Sequence, residues 1–166
     1  RIAEGYERHR AVQSILVFLQ GHGISPAQAM RVYKTFGDRA VAVIRENPYR
    51  LAAEGSGIGF KTADAIAREL GIAADAPVRL EAGLVQALRD AAGQGHTFLA
   101  KDEICARAGV LLDVPEAMIR PRIAVAAADG RVVCDDDRVF TPELDAAERG
   151  VAALLARLVH AERPPM

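Results

Sequence analysis

The sequence predicts a mainly α-helical protein with a small β-hairpin in its second half. Apolar residues recur at helical spacing, and glycine-rich turns separate the helices of the first half. Short apolar runs flank three consecutive aspartates in the second half, which is typical of a hairpin. Of the 166 residues, 51% are hydrophobic, which is enough to bury a core without disulfide or metal staples. We therefore expect one domain of average size or two very small ones.

The first half is predicted to contain two units of the form helix, glycine turn, helix. Ser25 is an N-cap signal and Pro26 suits the first helical position, while Asp38 is expected to cap a third, short helix. Gly71 is expected to end the fourth helix. The inner faces of these helices carry Val12, Ile15, Leu16, Leu19, Ala29, Val32, Tyr33, Phe36, Val41, Val43, Ile44, Ala63, Ile66, Ala67 and Leu70.

The second half predicts a helix, a short strand, two helices and a β-hairpin, which is the order of a winged-helix domain. The strand is expected at residues 97–99 and the hairpin turn at 135–137. Pro121 is expected to kink or delay the second of the two helices, since an interior proline costs about 3 kcal/mol. The last helix carries an apolar stripe that needs a partner, formed by Leu144, Ala147, Val151, Leu154, Leu155 and Leu158.

The net charge of −1 conceals a difference between the two halves. Residues 1–71 carry ten basic and seven acidic side chains, a net of +3, whereas residues 72–166 carry eleven and fifteen, a net of −4. A basic excess is the expected footprint of a nucleic-acid binder. The first half is therefore the better candidate for contact with nucleic acid.

Other classes of site find little support in the sequence. Cys105 and Cys134 stand far apart and are expected to be buried apolar residues. The four histidines show no metal-ligand spacing, His22 is expected to face solvent, and no nucleophile with its base is apparent. Neither a membrane span nor a signal peptide is visible, so a cytoplasmic protein without a metal or catalytic site is expected.

Gly57-Ile58-Gly59-Phe60-Lys61-Thr62 is the most specific local signal. Gly57 and Gly59 can aim successive N–H groups in one direction at the start of a helix, where the dipole favours an anion. Ile58 would anchor this turn, Lys61 would supply a counter-charge and Thr62 a hydroxyl donor. A nucleic-acid backbone suits this turn, although a glycine turn that only lets two helices cross explains the pattern as well.

A looser copy of this signal lies upstream, at residues 21–25. Gly21, Gly23 and Ser25 repeat the small residues of the turn, but no lysine follows. A structural role is therefore favoured for this turn.

Four segments resemble the N-terminal region of RecD-like ATP-dependent DNA helicases, a family with relatives named as the alpha chain of exodeoxyribonuclease V. The resemblance is dense from about residue 11 to 71 and more diffuse beyond. The segments are Phe18-Leu19-Gln20-Gly21-His22-Gly23-Ile24-Ser25, Tyr33-Lys34-Thr35-Phe36-Gly37-Asp38, Glu46-Asn47-Pro48-Tyr49-Arg50-Leu51 and Gly57-Ile58-Gly59-Phe60-Lys61-Thr62-Ala63-Asp64.

The resemblance implies tandem helix-hairpin-helix motifs that contact DNA. The DNA-binding residues it implies are Gly57, Ile58, Gly59, Lys61 and Thr62, with Gly21, Gly23 and Ser25 in the earlier turn. It also implies a 5′ to 3′ motor that uses ATP and magnesium, but no Walker lysine or aspartate can be assigned here. We therefore expect a non-enzymatic fragment of a longer helicase, with no cofactor of its own.

The expected organisation is a tandem helix-hairpin-helix domain at 1–73, a winged-helix-like domain at 77–141 and a connecting helix at 142–166, where a Glu-Arg-Pro-Pro run at 162–165 resembles a linker. The leading function is sequence-independent binding of the DNA backbone in DNA repair or recombination. The alternative is an interaction or scaffolding module that docks the helicase core or a repair partner. Three aspartates in the wing turn favour that alternative for the second half, where the only nearby basic residues are Arg120, Arg122 and Arg131.

Overall fold

The computed structural model describes residues 2–53 and 56–160, and the chain divides into two compact units, one up to Arg79 and one from Leu80 onward. The expected mainly helical fold with a small sheet is confirmed. The boundary between the units falls inside one helix, α6 (Pro77–Gly93). The run at 162–165 lies outside the described residues.

The first unit contains five helices and the start of a sixth among its described residues. The N-cap at Ser25, Pro26 at the first helical position and the helix ends near Gly21 and Gly37 are confirmed. The helices are α1 (Ile2–Gly21), α2 (Pro26–Phe36), α3 (Ala40–Glu46), α4 (Arg50–Ala53), α5 (Phe60–Glu69) and α6 (Pro77–Gly93).

The core of the first unit contains many of the predicted inward-facing residues and also Leu51, which was outside that prediction, whereas Val12, Leu16 and Val41 are only half-buried. Its fully or almost fully buried side chains include Ile15, Leu19, Val32, Ile44, Leu51 and Ile66. Because these residues recur at helical spacing, burial of one face of each helix accounts for most of the packing.

Asp38 does not cap a helix as expected. A 3₁₀ turn (Gly37–Arg39) follows α2, and α3 begins after Arg39 without a side-chain cap. The carboxylate of Asp38 instead accepts a hydrogen bond of 3.2 Å from the Tyr33 hydroxyl. The prediction failed because Gly37, at φ +59°, ends α2 and places Asp38 inside the turn rather than at the position before a helix.

The second unit combines most of α6 with three helices and a three-stranded antiparallel sheet. The strand order is β1-β3-β2, with Leu99 opposite Val139 and Cys134 opposite the same Val139 on the other side. The remaining elements are β1 (Leu99–Ala100), α7 (Lys101–Leu112), α8 (Glu116–Ala128), β2 (Val133–Asp135), β3 (Arg138–Phe140) and α9 (Pro142–His160).

Three local expectations for this unit require correction. The first strand lies at Leu99–Ala100 rather than 97–99, and Asp135 is paired within β2, so the turn is Asp136 and Asp137 alone. Cys134 is exposed, whereas Cys105 is buried as expected. Cys134 lies on β2, an edge strand of the sheet, which leaves its side chain accessible although its partner Val139 on the central strand is buried.

Pro121 does not delay α8, which begins at Glu116 and continues past the proline. Pro121 is the sixth residue of the helix, so its ring and its missing N–H affect only the carbonyl of Ala117 in the first turn. Burial of Ile119, Ile123 and Ala126 on either side of the proline offsets that loss.

Candidate nucleic-acid interface

Two turns of the first unit share one backbone conformation. The first turn (residues 21–25) and the second turn (residues 56–59) each contain a glycine with positive φ, +74° at Gly23 and +73° at Gly57. The residue before the following helix is extended in both, at φ −67° and ψ 154° for Ser25 and φ −74° and ψ 161° for Gly59. The upstream copy recognised in the sequence is therefore a copy in geometry as well.

An isoleucine anchors each turn in the core. Ile24 and Ile58 follow the positive-φ glycines and both are buried. The anchoring role expected for Ile58 is met, and the same arrangement holds for Ile24. Burial of the isoleucines fixes both turns while the glycines beside them stay exposed.

The two turns differ in how the following helix is capped. At α2, the Ser25 hydroxyl accepts a hydrogen bond of 3.3 Å from the Gln28 amide, and the Gln28 side chain accepts one of 3.2 Å from the Ser25 amide. This capping box satisfies two of the free donors at the start of α2. The first turn is thus closed by its own side chains.

At α5, no side chain caps the helix. The amides of Thr62 and Ala63 both donate to the Gly59 carbonyl at 3.1 Å, so the amides of Phe60 and Lys61 precede the first hydrogen bonds of the helix. These donors, together with the helix dipole, favour an anion at this point. The second turn is the open one.

Ser56 sets the shape of the second turn, and sequence reasoning did not single it out. Its buried hydroxyl donates to the Leu51 carbonyl at 2.5 Å and accepts from the Ile58 amide at 3.3 Å. A serine two residues before the amide it binds is a recognisable turn signal. The hydroxyl therefore links α4 to the turn.

Residues of α2 also contact the second turn. The Gln28 side-chain amide donates to the Gly57 carbonyl at 3.1 Å, and the Arg31 guanidinium lies against the α-carbon of Gly57. Neither contact has a local sequence signal, because Gln28 and Gly57 are 29 residues apart. α2, the helix that follows the first turn, therefore contacts the second turn.

Two of the expected site residues flank the open helix end. Lys61 is exposed and Thr62 is half-buried. Among the residues that the structure describes, Lys61 makes no ion pair. Its charge is therefore available to an anion from solution.

A carboxylate from the end of α5 lies beside the first turn. His22 does not face solvent as expected: its Nδ1 lies 2.6 Å from the Phe18 carbonyl, and its Nε2 lies 3.3 Å from a carboxylate oxygen of Glu69. A negative charge beside the turn disfavours a phosphate there. The predicted residues Gly21, Gly23 and Ser25 therefore lie around a self-closed turn. The other predicted residues lie around an open one, namely Gly57, Ile58, Gly59, Lys61 and Thr62.

A buried ion pair holds α5 against the start of α6. The carboxylate of Asp64 accepts hydrogen bonds from Arg79 Nε at 2.8 Å and Nη2 at 3.0 Å, and from the Tyr49 hydroxyl at 2.7 Å. Arg79 is only 2% exposed. Burial alone would raise the pKa of Asp64, but the hydrogen bonds from Arg79 and Tyr49 lower it below its ordinary value. Burial and the same carboxylate raise the pKa of Tyr49.

The arginines near the hairpin of the second unit are paired within that unit. Arg120 pairs with Asp102, while Arg131 lies 2.7 Å and Arg122 3.7 Å from the buried carboxylate of Glu81. These arginines are therefore paired with carboxylates of the same unit. Over residues 2–53 and 56–160, no group of three or more His, Cys, Asp or Glu could hold a metal ion, and no described helix is long and apolar enough to cross a membrane.

Comparison with known proteins agrees with this geometry. Residues 8–98 match the family model of the HHH domain of ATP-dependent RecD2 DNA helicases. The chain belongs to this family, and the resemblance to RecD-like helicases is confirmed.

One relative aligns with more of the chain than the family model does. The chain is 36% identical over 150 residues to the ATP-dependent RecD2 DNA helicase of Deinococcus radiodurans, an alignment that covers 89% of this chain and 20% of the relative. The chain thus spans about a fifth of the length of that helicase.

Proposed function

We propose that this chain is an accessory region of a RecD2-type helicase that binds the DNA backbone without regard to sequence. The open second turn carries this proposal. It combines uncapped amides at the start of α5 with an exposed, unpaired Lys61, in the unit that holds the basic excess. Backbone amides and a lysine recognise phosphate and not base edges, so no base preference is expected.

The finer architecture belongs to the same proposal. The matching backbone of the two turns supports tandem helix-hairpin-helix units at 1–73. The order α6, β1, α7, α8 and a β2-β3 hairpin supports a winged-helix-like domain at 77–141. α9 covers the described part of the connecting helix that we propose at 142–166. We assign DNA contact to the first of these domains.

Under this proposal, the chain itself neither binds nor hydrolyses ATP. The residues around the second turn do not fit ATP, because the sequence lacks GxxxxGK followed by Ser or Thr, which cradles the phosphates of a nucleoside triphosphate. ATP and magnesium would belong to the motor of the parent helicase. No residue of this chain is assigned a catalytic role.

The proposal is tested by titrating short single-stranded and duplex DNA with the chain at low salt and following fluorescence anisotropy. Lys61→Glu should weaken binding about tenfold or more and lower the slope of log K against log salt by about 1 to 2, since it removes one cation and adds one anion. Lys101→Glu is the matched control, because Lys101 also lies in the first turn of a helix but in the acidic unit. The control should bind nearly as well as the unchanged chain.

Two results would contradict the proposal. Absence of binding by the unchanged chain at low salt would remove DNA binding from this region. Equal losses in Lys61→Glu and Lys101→Glu would assign the binding to net charge and not to the second turn.

A second candidate function is docking of the helicase core or of a repair protein through α9. Its stripe at Val151, Leu154, Leu155 and Leu158 is more than half exposed. Exposed apolar surface of this kind marks an interaction site. If Leu154→Glu abolishes capture of the separately produced motor portion and leaves DNA affinity unchanged, docking belongs to α9.

A further inference from the structure

The guanidinium of Arg31 is in unusually close contact with Gly57. An ideal Cβ at Gly57 would lie 3.0 Å from Cζ, 3.1 Å from Nη2 and 3.4 Å from Nε of Arg31. Ordinary van der Waals contact begins near 3.4 Å. The φ of +73° favours glycine at this position, and the Arg31 guanidinium fills the space where a side chain at 57 would lie.

The position of Arg31 is fixed by its own helix. Gln28 lies one turn earlier on the same face of α2 and donates its side-chain amide to the Gly57 carbonyl. This hydrogen bond holds the second turn against the face of α2 that bears Arg31. The two contacts together bring a cation from α2 to the turn before α5.

Among the residues that the structure describes, none neutralises the charge of Arg31. The side chain is exposed, and within the described ranges no carboxylate pairs with it. Other arginines of this unit lie over aromatic rings, Arg45 at 5.6 Å from the centre of Phe18 and Arg50 at 5.3 Å from that of Phe36. Arg31 lies against a glycine backbone instead, so its free N–H groups face solvent beside an open turn.

We infer that Arg31 binds the same backbone phosphate as the second turn. This inference rests on the proposed function and adds a residue from α2, so that the two hairpins share one phosphodiester site. The guanidinium offers paired N–H donors that match two phosphate oxygens, whereas the amides of α5 offer single donors. The contribution of the first hairpin then comes from the side chain of Arg31 on α2 and not from its closed turn.

The test uses the whole chain with a fluorescent duplex or single strand at several salt concentrations. Arg31→Ala should weaken binding about threefold to tenfold at low salt and lower the salt slope by about 0.7 to 0.9. Arg31→Lys should recover the slope but only part of the affinity, because an ammonium cannot form the paired contact. Arg39→Ala, which removes an exposed arginine elsewhere in the same unit, should change affinity less than twofold.

The outcomes separate this inference from the proposed function. If Arg31→Ala behaves like Arg39→Ala while Lys61→Glu still weakens binding, the role of Arg31 is overturned and the function stands. If the unchanged chain does not bind DNA, both are overturned. Circular dichroism melting of each variant shows whether a loss of affinity is a loss of fold, and Arg31→Gln, which keeps length without charge, repeats the test if Arg31→Ala melts early.

Discussion

Ser56 is a single buried hydroxyl on which the second turn depends. It links the carbonyl of Leu51 to the amide of Ile58, so each of its two hydrogen bonds satisfies a backbone group. Backbone groups left unpaired away from water destabilise the folded state. These two hydrogen bonds therefore stabilise the conformation of the second turn. The amides at the start of α5 do not take part in them and stay available to an anion.

Replacement of Ser56 by alanine should lower the free energy of unfolding by about 1 to 3 kcal/mol, because two polar partners lose their bond. Urea denaturation followed by circular dichroism measures this loss. Thr35→Ala is the control: the Thr35 hydroxyl also donates to a backbone carbonyl, at 3.1 Å, but in an exposed position. A loss at Ser56 no larger than at Thr35 would mean that water replaces the hydroxyl.

At the residue scale, what could be predicted depends on sequence separation. Gly57, Ile58 and Lys61 follow from neighbours within one turn, since positive φ, burial and a helix start all have local signals. The contacts of Arg31 and Gln28 with Gly57 depend on how α2 packs, and periodicity does not contain that information. The capping box of Ser25 and Gln28 is a local pattern, since the two residues are three positions apart, but only the cap at Ser25 is among the predictions.

A buried ion pair joins Asp64 on α5 to Arg79 on α6. Both side chains of this pair are largely buried, at 15% and 2% exposed. A buried pair of this kind is strongly destabilising when only one partner is removed. The attachment of α5, and with it the second turn, therefore depends on the ionisation of one carboxylate.

The stability of the chain should fall in acid partly through Asp64. Its pKa in the folded chain is below the ordinary value of 3.8, so its contribution is complete above that pH and is lost as the pH falls through the lower, folded value. Asp64→Asn should be less stable by about 3 kcal/mol at neutral pH and should lack this part of the acid dependence. Unfolding curves between about pH 2 and pH 7 measure both effects.

The exposed Asp75 provides the comparison for this experiment. Asp75→Asn should keep the acid dependence of the unchanged chain and nearly all of its stability. An identical acid dependence in Asp64→Asn and the unchanged chain would show that other carboxylates dominate.

At the element scale, the sequence predicted where helices begin and end better than which polar groups meet. The ends at Gly21 and Gly71 follow directly from glycine chemistry. The predictions for Asp38 and Cys134 are wrong because residue type alone contains neither the 3₁₀ turn around Asp38 nor the position of Cys134 on an edge strand. α7 ends at Leu112, which is buried, because Asp113 takes the left-handed conformation directly after it.

At the scale of the whole molecule, the two halves differ in net charge and also in whether their cations are paired with carboxylates. The first half has a net charge of +3 and an unpaired Lys61, while the arginines around the hairpin of the second unit are paired with its own acids. A net charge of −1 for the whole chain is therefore uninformative about binding. The sequence allowed this division to be drawn, but only the pairing shows which cations remain available.

The apolar stripe on α9 should contribute little to the stability of this chain. Leu154→Ala and Leu158→Ala should each change the free energy of unfolding by less than about 0.5 kcal/mol, since both side chains are more than half exposed. Leu88→Ala, at a buried position of α6, should cost about 2 to 5 kcal/mol. Thermal and urea unfolding of the three variants provide the comparison.

A large loss at either α9 position would show that the stripe is already packed within this chain in solution. That result would remove the surface on which the docking candidate depends. Small losses would leave the stripe free for another part of a longer helicase.

The contact between Arg31 and Gly57 also constrains how relatives of this domain can vary. A larger residue at position 57 would be strained by the positive φ and would also displace the guanidinium of Arg31 from its place beside the turn. Relatives that keep this turn should therefore keep glycine at 57. Loss of that glycine would alter two things at once, the backbone conformation of the turn and its contact with a side chain 26 residues away.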